Sequence, residues 1–145
     1  MATTFTIDAS VFLNGFNPYE TGHSESHQLL ARMRDESMPI IVPMLLLPEV
    51  AAAVSRGRED SDLAARFTAN LRHLPHLILI PLDEILAQQA ADIAAQHRLR
   101  GSDAVYAAVA LRFGSTLVTL DREQRERVAA LIATRLPAEL LADWA

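Results

Sequence analysis

Short apolar segments alternate along this chain with longer stretches of helical periodicity. Thr4–Ile7 is β-branched and alternating, which predicts a strand that Asp8 ends. Ala9–Asn14 predicts the start of a helix, and Gly15–Gly22, with Pro18, a loop. Leu29, Leu30 and Met33 set a helical spacing over Glu25–Glu36. Ile40–Val42 reads as a short strand, and Leu45–Ser55 as a buried helix that Gly57 stops. Ser61–Leu71 is a further helix, capped by Asp60 or Ser61. Leu77–Ile80, bounded by Pro75 and Pro81, is an apolar strand. Asp83–His97 is an alanine-rich helix. Gly101 and Ser102 open the next, Asp103–Phe113, with Ser102 as its N-cap and Gly114 as its stop. Thr116–Thr119 is a strand, a short helix begins at Arg122, Leu131–Thr134 is a last strand, and Pro137 suits the first residue of a C-terminal helix.

Strands alternating with helices imply an α/β fold whose parallel sheet is covered on both faces. In such sheets ligands bind at the carboxyl ends of the strands. Asp8 and Asp121 fall at or just past two of those ends. No linker, repeat or low-complexity stretch interrupts the pattern, so residues 1–145 are expected to form one domain.

Composition narrows the chemistry. Half of the residues are hydrophobic, which is enough for a packed core, and there is no cysteine, so disulfides and thiolate metal sites are excluded. The N-terminus shows no secretory pattern. The longest apolar run, Ile40–Val54, contains Pro43, Pro48 and Glu49 and is short for a membrane span of roughly 20 residues. No membrane association is expected, and the cytoplasm is the default location. The net charge is −5, which does not favour a nucleic-acid binder, but all 13 basic residues are arginines, which can grip phosphates in bidentate fashion.

Most of the 18 acids sit in polar stretches. Four do not: Asp8 in FTIDASVF, Glu49 in LLLPEVAAAV, Asp103 in GSDAVYAAVA and Asp121 in TLVTLD. Taken singly, Asp8 and Asp121 could be turn residues, Asp103 a first-turn acid, and Glu49 one exposed position on a buried helix. Taken together, four carboxylates in apolar surroundings need a cationic partner. Mg²⁺ or Mn²⁺ suits an all-oxygen ligand set, and such a site supports in-line displacement at phosphorus.

The acids are separated by 41, 54 and 18 residues. With TIDASVFL, PEVAAAVSR, LRGSDAVYAAVA and LVTLDREQ around them, the chain from about Phe5 to about Pro137 resembles the PIN-domain family, and within it the VapC-like toxins of toxin–antitoxin pairs. The resemblance implies a three-layer α/β/α sandwich with a mainly parallel central sheet. It implies a Mg²⁺- or Mn²⁺-dependent ribonuclease, often a homodimer, with an RNA substrate and a cognate antitoxin. Asp8, Glu49, Asp103 and Asp121 match the acidic cluster, and Ser10 and Thr119 the hydroxyl residues that support it. Arg122, Glu123 and Gln124 are the nearest candidates for a further polar residue after the last aspartate.

Arg98 and Arg100 precede Asp103, and Arg122 and Arg125 follow Asp121, which makes all four candidates for RNA phosphates. Phe12, Phe16 and Tyr19 could stack bases, although core or dimer packing is the plainer reading. His23 and His27 share a helix face at a spacing zinc can use, without a third ligand. Trp144, beside Leu140 and Leu141, is expected to pack the C-terminal helix down or, equally, to cover a dimer seam. A phosphoryl-transfer domain with an aspartate after the first strand would need a lysine, and the chain has none. The remaining competitor is a PIN scaffold without turnover that binds protein or RNA.

Overall fold

The computed structural model describes residues 3–144. Five strands form one parallel sheet in the order β3-β2-β1-β4-β5: β1 (Phe5–Ile7), β2 (Ile40–Pro43), β3 (Leu77–Ile80), β4 (Thr116–Val118) and β5 (Thr134–Arg135). The register pairs Phe5 with Ile40 on one side and with Thr116 on the other. The chain first winds outward from β1 to β3, then returns across the sheet to β4 and on to β5. The winding direction therefore reverses between β1 and β4, the position where open α/β sheets form a ligand crevice.

Eight helices cover the sheet: α1 (Ala9–Phe16), α2 (His23–Asp35), α3 (Leu46–Arg58), α4 (Ser61–Arg72), α5 (Glu84–His97), α6 (Gly101–Phe113), α7 (Arg122–Val128) and α8 (Pro137–Asp143). Packing groups α1–α4 and α8 together in one layer and α5 with α6 in another, to which Gln124 ties α7, as right-handed crossovers would place them. The expected three-layer α/β/α sandwich is the fold. Strands β1 and β2 are fully buried, and α6 carries an unbroken buried run from Ala104 to Ala110 across β2, β1 and β4. A helix apolar all round belongs in the interior, so the polar start of α6 is held firmly against the sheet.

Four local expectations are corrected. Gly15 lies inside α1, which runs on to Phe16; a Cβ there would come within 3.0 Å of Leu30, so the glycine permits close packing on α2. Gly57 does not end α3. It is exposed, where an internal glycine costs only about 1 kcal/mol, and the helix continues to Arg58 before Glu59 turns left-handed at φ 51°. Ser102 does not cap α6: the cap backbone is that of Arg100, which puts Ser102 and Asp103 within the first turn. The last strand is Thr134–Arg135 and not Leu131–Thr134, because Leu131 and Ile132 are drawn into a turn that bonds back to Val128.

Trp144 does pack the C-terminal helix down, stacked on Phe5 with ring centroids 6.1 Å apart. Phe12 is core, and Phe16 meets Phe67 edge-on at 4.5 Å, whereas Tyr19 is 92% exposed. Among the described residues, no helix is long and apolar enough to cross a membrane.

Candidate active site

All four singled-out acids line one cleft of about 550 Å³ at the carboxyl end of the sheet. Asp8 directly follows β1, and its backbone N–H bonds to Val118 O of β4 at 2.9 Å, which fixes it at the reversal point. Asp121 lies three residues past β4. Glu49 projects from the first turn of α3, and Asp103 from the first turn of α6, where the amino end of a helix favours an anion.

Both strand-end aspartates also cap helices. Asp8 Oδ2 accepts from Ser10 N at 3.0 Å, and Asp121 Oδ1 accepts from Gln124 N at 3.2 Å. The plain reading of each residue is thus half right, but capping engages one oxygen of each. Thr119 supports both acids: its hydroxyl donates to Asp8 Oδ2 at 3.4 Å and accepts from Asp121 N at 3.1 Å. Ser10 Oγ accepts from Leu120 N at 3.3 Å and ties the start of α1 to the segment after β4.

The electrostatics of the cleft are adverse. The Asp8 carboxyl is held above its ordinary range, first by burial and then by the Asp121 charge, with Ser10 and Thr119 pulling the other way. Burial also raises Glu49, and Asp8 and Asp103 add to it. Asp103 is raised by burial and by Asp8 and Asp121, against the opposing pull of Arg100. Asp8, Asp103 and Asp121 thus each make at least one neighbouring acid harder to ionise. Tyr106, fully buried beside Glu49, influences that carboxyl, yet neither Tyr106 Oη nor the buried Glu49 Oε1 has a partner in hydrogen-bonding geometry. A buried oxygen without a partner is costly.

This donor set fits a hard divalent cation: carboxylate oxygens only, mutual repulsion, and an orphaned oxygen at Glu49. Among the described residues, no three acidic or histidine side chains are drawn together tightly enough to close on one ion. That spacing still suits Mg²⁺, which keeps several waters and is commonly held by one or two carboxylates.

Of the four arginines expected near the acids, Arg100 lines the cleft. Arg98 caps α5, and its carbonyl accepts from Arg127. Arg122 pairs outward with Glu126 at 2.8 Å. Arg125 donates to Thr119 O at 3.0 Å and braces the segment after β4. Sequence reasoning passed over Arg56, which lines the cleft two helical turns after Glu49. It also passed over Tyr106, one turn after Asp103; helical spacing from the acids would have found both. Among Arg122, Glu123 and Gln124, it is Gln124 that turns inward. Fully buried, it donates to Asp103 O at 3.3 Å and so staples the first turn of α6 to the helix that Asp121 caps. His23 and His27 stack at 5.3 Å, with His23 Nδ1 engaged at Asn14 O, and among the described residues no third ligand joins them.

The family model of the PIN domain matches residues 5–130. This chain belongs to the PIN-domain family. Among curated proteins, no sequence matches it significantly. Solved structures share its PIN fold. VapC20 of Mycobacterium tuberculosis, a sarcin-ricin loop cleaving toxin, superposes with a TM-score of 0.71 at 20% identity, over 90% of this chain and 97% of that one. FitAcB of Neisseria gonorrhoeae gives 0.70 at 17% identity, over 92% and 98%. VapBC2 of Rickettsia felis, bound to a DNA fragment from its promoter, gives 0.69 at 13% identity, over 92% and 98%. At such identities the likeness concerns the fold alone.

Proposed function

We propose that this PIN domain is a Mg²⁺- or Mn²⁺-dependent endoribonuclease and the toxin of a toxin–antitoxin pair. The observation that carries the reading is the convergence of Asp8, Glu49, Asp103 and Asp121 in one cleft at the reversal point of the sheet, three of them held away from easy ionisation. A scaffold that only binds has no use for that arrangement.

In this reading one or two of the four carboxylates would hold the cation directly and the others through its waters. What the ion supplies when bound is electrophilic assistance: it acidifies a water and offsets charge on the departing oxygen. The chain's own residues do the rest. Ser10 and Thr119 fix the Asp8 carboxylate, and Gln124 keeps the first turn of α6 in register with Asp121. Arg56 and Arg100 line the cleft and orient the RNA phosphate. Hydrolysis leaves a 5′-phosphate and a 3′-hydroxyl. The toxin role and the cognate antitoxin follow the neighbours, several of which are toxin–antitoxin complexes. In this reading homodimerisation falls to the start of α5, where Ile85 and the preceding Leu82 stand exposed and Leu82 lines an apolar groove.

The test is cleavage of end-labelled RNA by the antitoxin-free chain in Mg²⁺, Mn²⁺ or EDTA, with Asp8→Asn alongside. The reading expects cleavage that requires metal, is lost in the variant and leaves 5′-phosphate ends. Products with 2′,3′-cyclic phosphates, or cleavage in EDTA, would overturn it.

A further inference from the structure

One positive charge already sits among the acids. Arg100 Nε donates to Asp103 Oδ2 at 3.1 Å, and Arg100 Nη2 donates to Asp121 Oδ2 at 2.8 Å. A single guanidinium therefore bridges two carboxylates that come from different helix starts. The oxygens it takes are those not used for capping: Asp121 Oδ1 is engaged by Gln124 N, and Oδ2 is the one turned to Arg100. Any cation that takes Asp121 Oδ2, the oxygen that capping leaves open, has to compete with the guanidinium for it.

We propose that Arg100 is a tethered counter-cation: it holds Asp103 and Asp121 together in the metal-free protein and gives way to the divalent ion on loading. The proposal rests on the reading of this cleft as a cation site. The side chain is built for exchange. It is 75% exposed although both of its partners are mostly covered, so it can swing out without uncovering core. Its backbone stays anchored, because Arg100 O accepts the N–H of Ala104 in the first turn of α6. The planar fork spans two acceptors at once, which an ammonium cannot match. In its absence Asp103 and Asp121 face each other and Asp8 with no positive charge between them. The arginine thus relieves repulsion before the metal arrives and weakens the apparent metal affinity by the fraction of time it is docked.

The experiment is calorimetric titration with Mn²⁺ of the wild-type chain, Arg100→Gln, Arg100→Lys and Arg98→Gln, with melting temperatures in EDTA. Arg98→Gln removes a like charge two residues away, from a side chain with no contact to the acids. The proposal expects Arg100→Gln to bind Mn²⁺ about five- to tenfold tighter than wild type and to melt lower in EDTA. Arg100→Lys should fall between the two, and Arg98→Gln should stay within about twofold of wild type. Two results overturn it while leaving the metal site standing: Arg100→Gln binding Mn²⁺ no tighter than wild type, or Arg98→Gln gaining as much as Arg100→Gln. Absence of Mn²⁺ binding in every protein, wild type included, would overturn both the exchange and the site on which it rests.

Discussion

The two ends of one parallel sheet treat polar groups in opposite ways. At the amino end, Thr4 and Ser115 pair through their hydroxyls at 2.8 Å, Phe5 stacks on Trp144, and the Arg32 guanidinium lies 5.1 Å above the Trp144 ring. These hydroxyls and rings are partnered, and His76 Nδ1, just ahead of β3, is an exception, buried without a partner. At the carboxyl end, Asp8, Glu49 and Asp103 are each held above the usual carboxylate range, and Glu49 Oε1 and Tyr106 Oη are buried without partners. The first end contributes stability. The second stores unfavourable free energy that a cation would release, which is the mark of a functional site on an otherwise consistent fold.

The contrast can be broken most sharply at Asp103. Asp103→Asn should abolish metal-dependent cleavage while the metal-free protein stays as stable as wild type or becomes more so, as read by urea denaturation in EDTA. A large loss of stability would mean that Asp103 is a structural acceptor, and the two ends would then be alike. Trp144→Ala should do the reverse. It should cost about 2–3 kcal/mol, somewhat below a fully buried tryptophan, and leave Mn²⁺ affinity unchanged, by denaturation and calorimetry on the same sample.

A smaller effect is expected at Gln124, the link between the two helix starts at the carboxyl end. Gln124→Met keeps the volume and removes the bond to Asp103 O. Stability should fall by about 1 kcal/mol, and cleavage by about tenfold as the two acids lose their fixed spacing. Loss of stability with unchanged turnover would reduce Gln124 to core packing.

The smallest effect concerns pH. Asp8, Glu49 and Asp103 bind protons more tightly when folded than when unfolded. A carboxyl of that kind opposes folding when it is ionised. Its cost develops as pH rises through the unfolded value and is complete above the folded one. The metal-free protein should therefore gain stability as the pH falls toward the ordinary carboxylate range near 4, and Asp103→Asn should flatten that gain. In saturating Mg²⁺ the trend should reverse over the same range, because protons then compete with the metal for the carboxylates. A metal-free stability that falls steadily on acidification in both proteins would contradict the shifts.

Much of this was legible in the chain itself. Apolar periodicity placed the first four strands to within a residue or so and every helix core, because parallel strands buried on both faces are short and uniformly apolar. The four acids were legible because each lies in an apolar segment, where an ionised group is out of place. What was not legible depended on tertiary contacts. Gly57 reads as a stop, yet nothing forces the backbone to turn there. Leu131–Thr134 reads as a strand, but its first half completes the turn after α7. The arginines on either side of Asp103 and Asp121 read as equivalent, and only folding sends Arg122 and Arg125 elsewhere while turning Arg100 onto the acids. Gln124 was one of three candidates after the last aspartate, and only its burial against Asp103 O singles it out, whereas Arg56 lay within reach of helical spacing from Glu49.

The most direct test of the central claim is anomalous X-ray scattering from crystals soaked in Mn²⁺. A peak at the manganese edge within the cleft of Asp8, Glu49, Asp103 and Asp121, absent in Asp8→Asn and accompanied by a displaced Arg100 side chain, is the expected result. A fully ordered cleft with no peak at saturating Mn²⁺, and Arg100 still on Asp103 and Asp121, would contradict it.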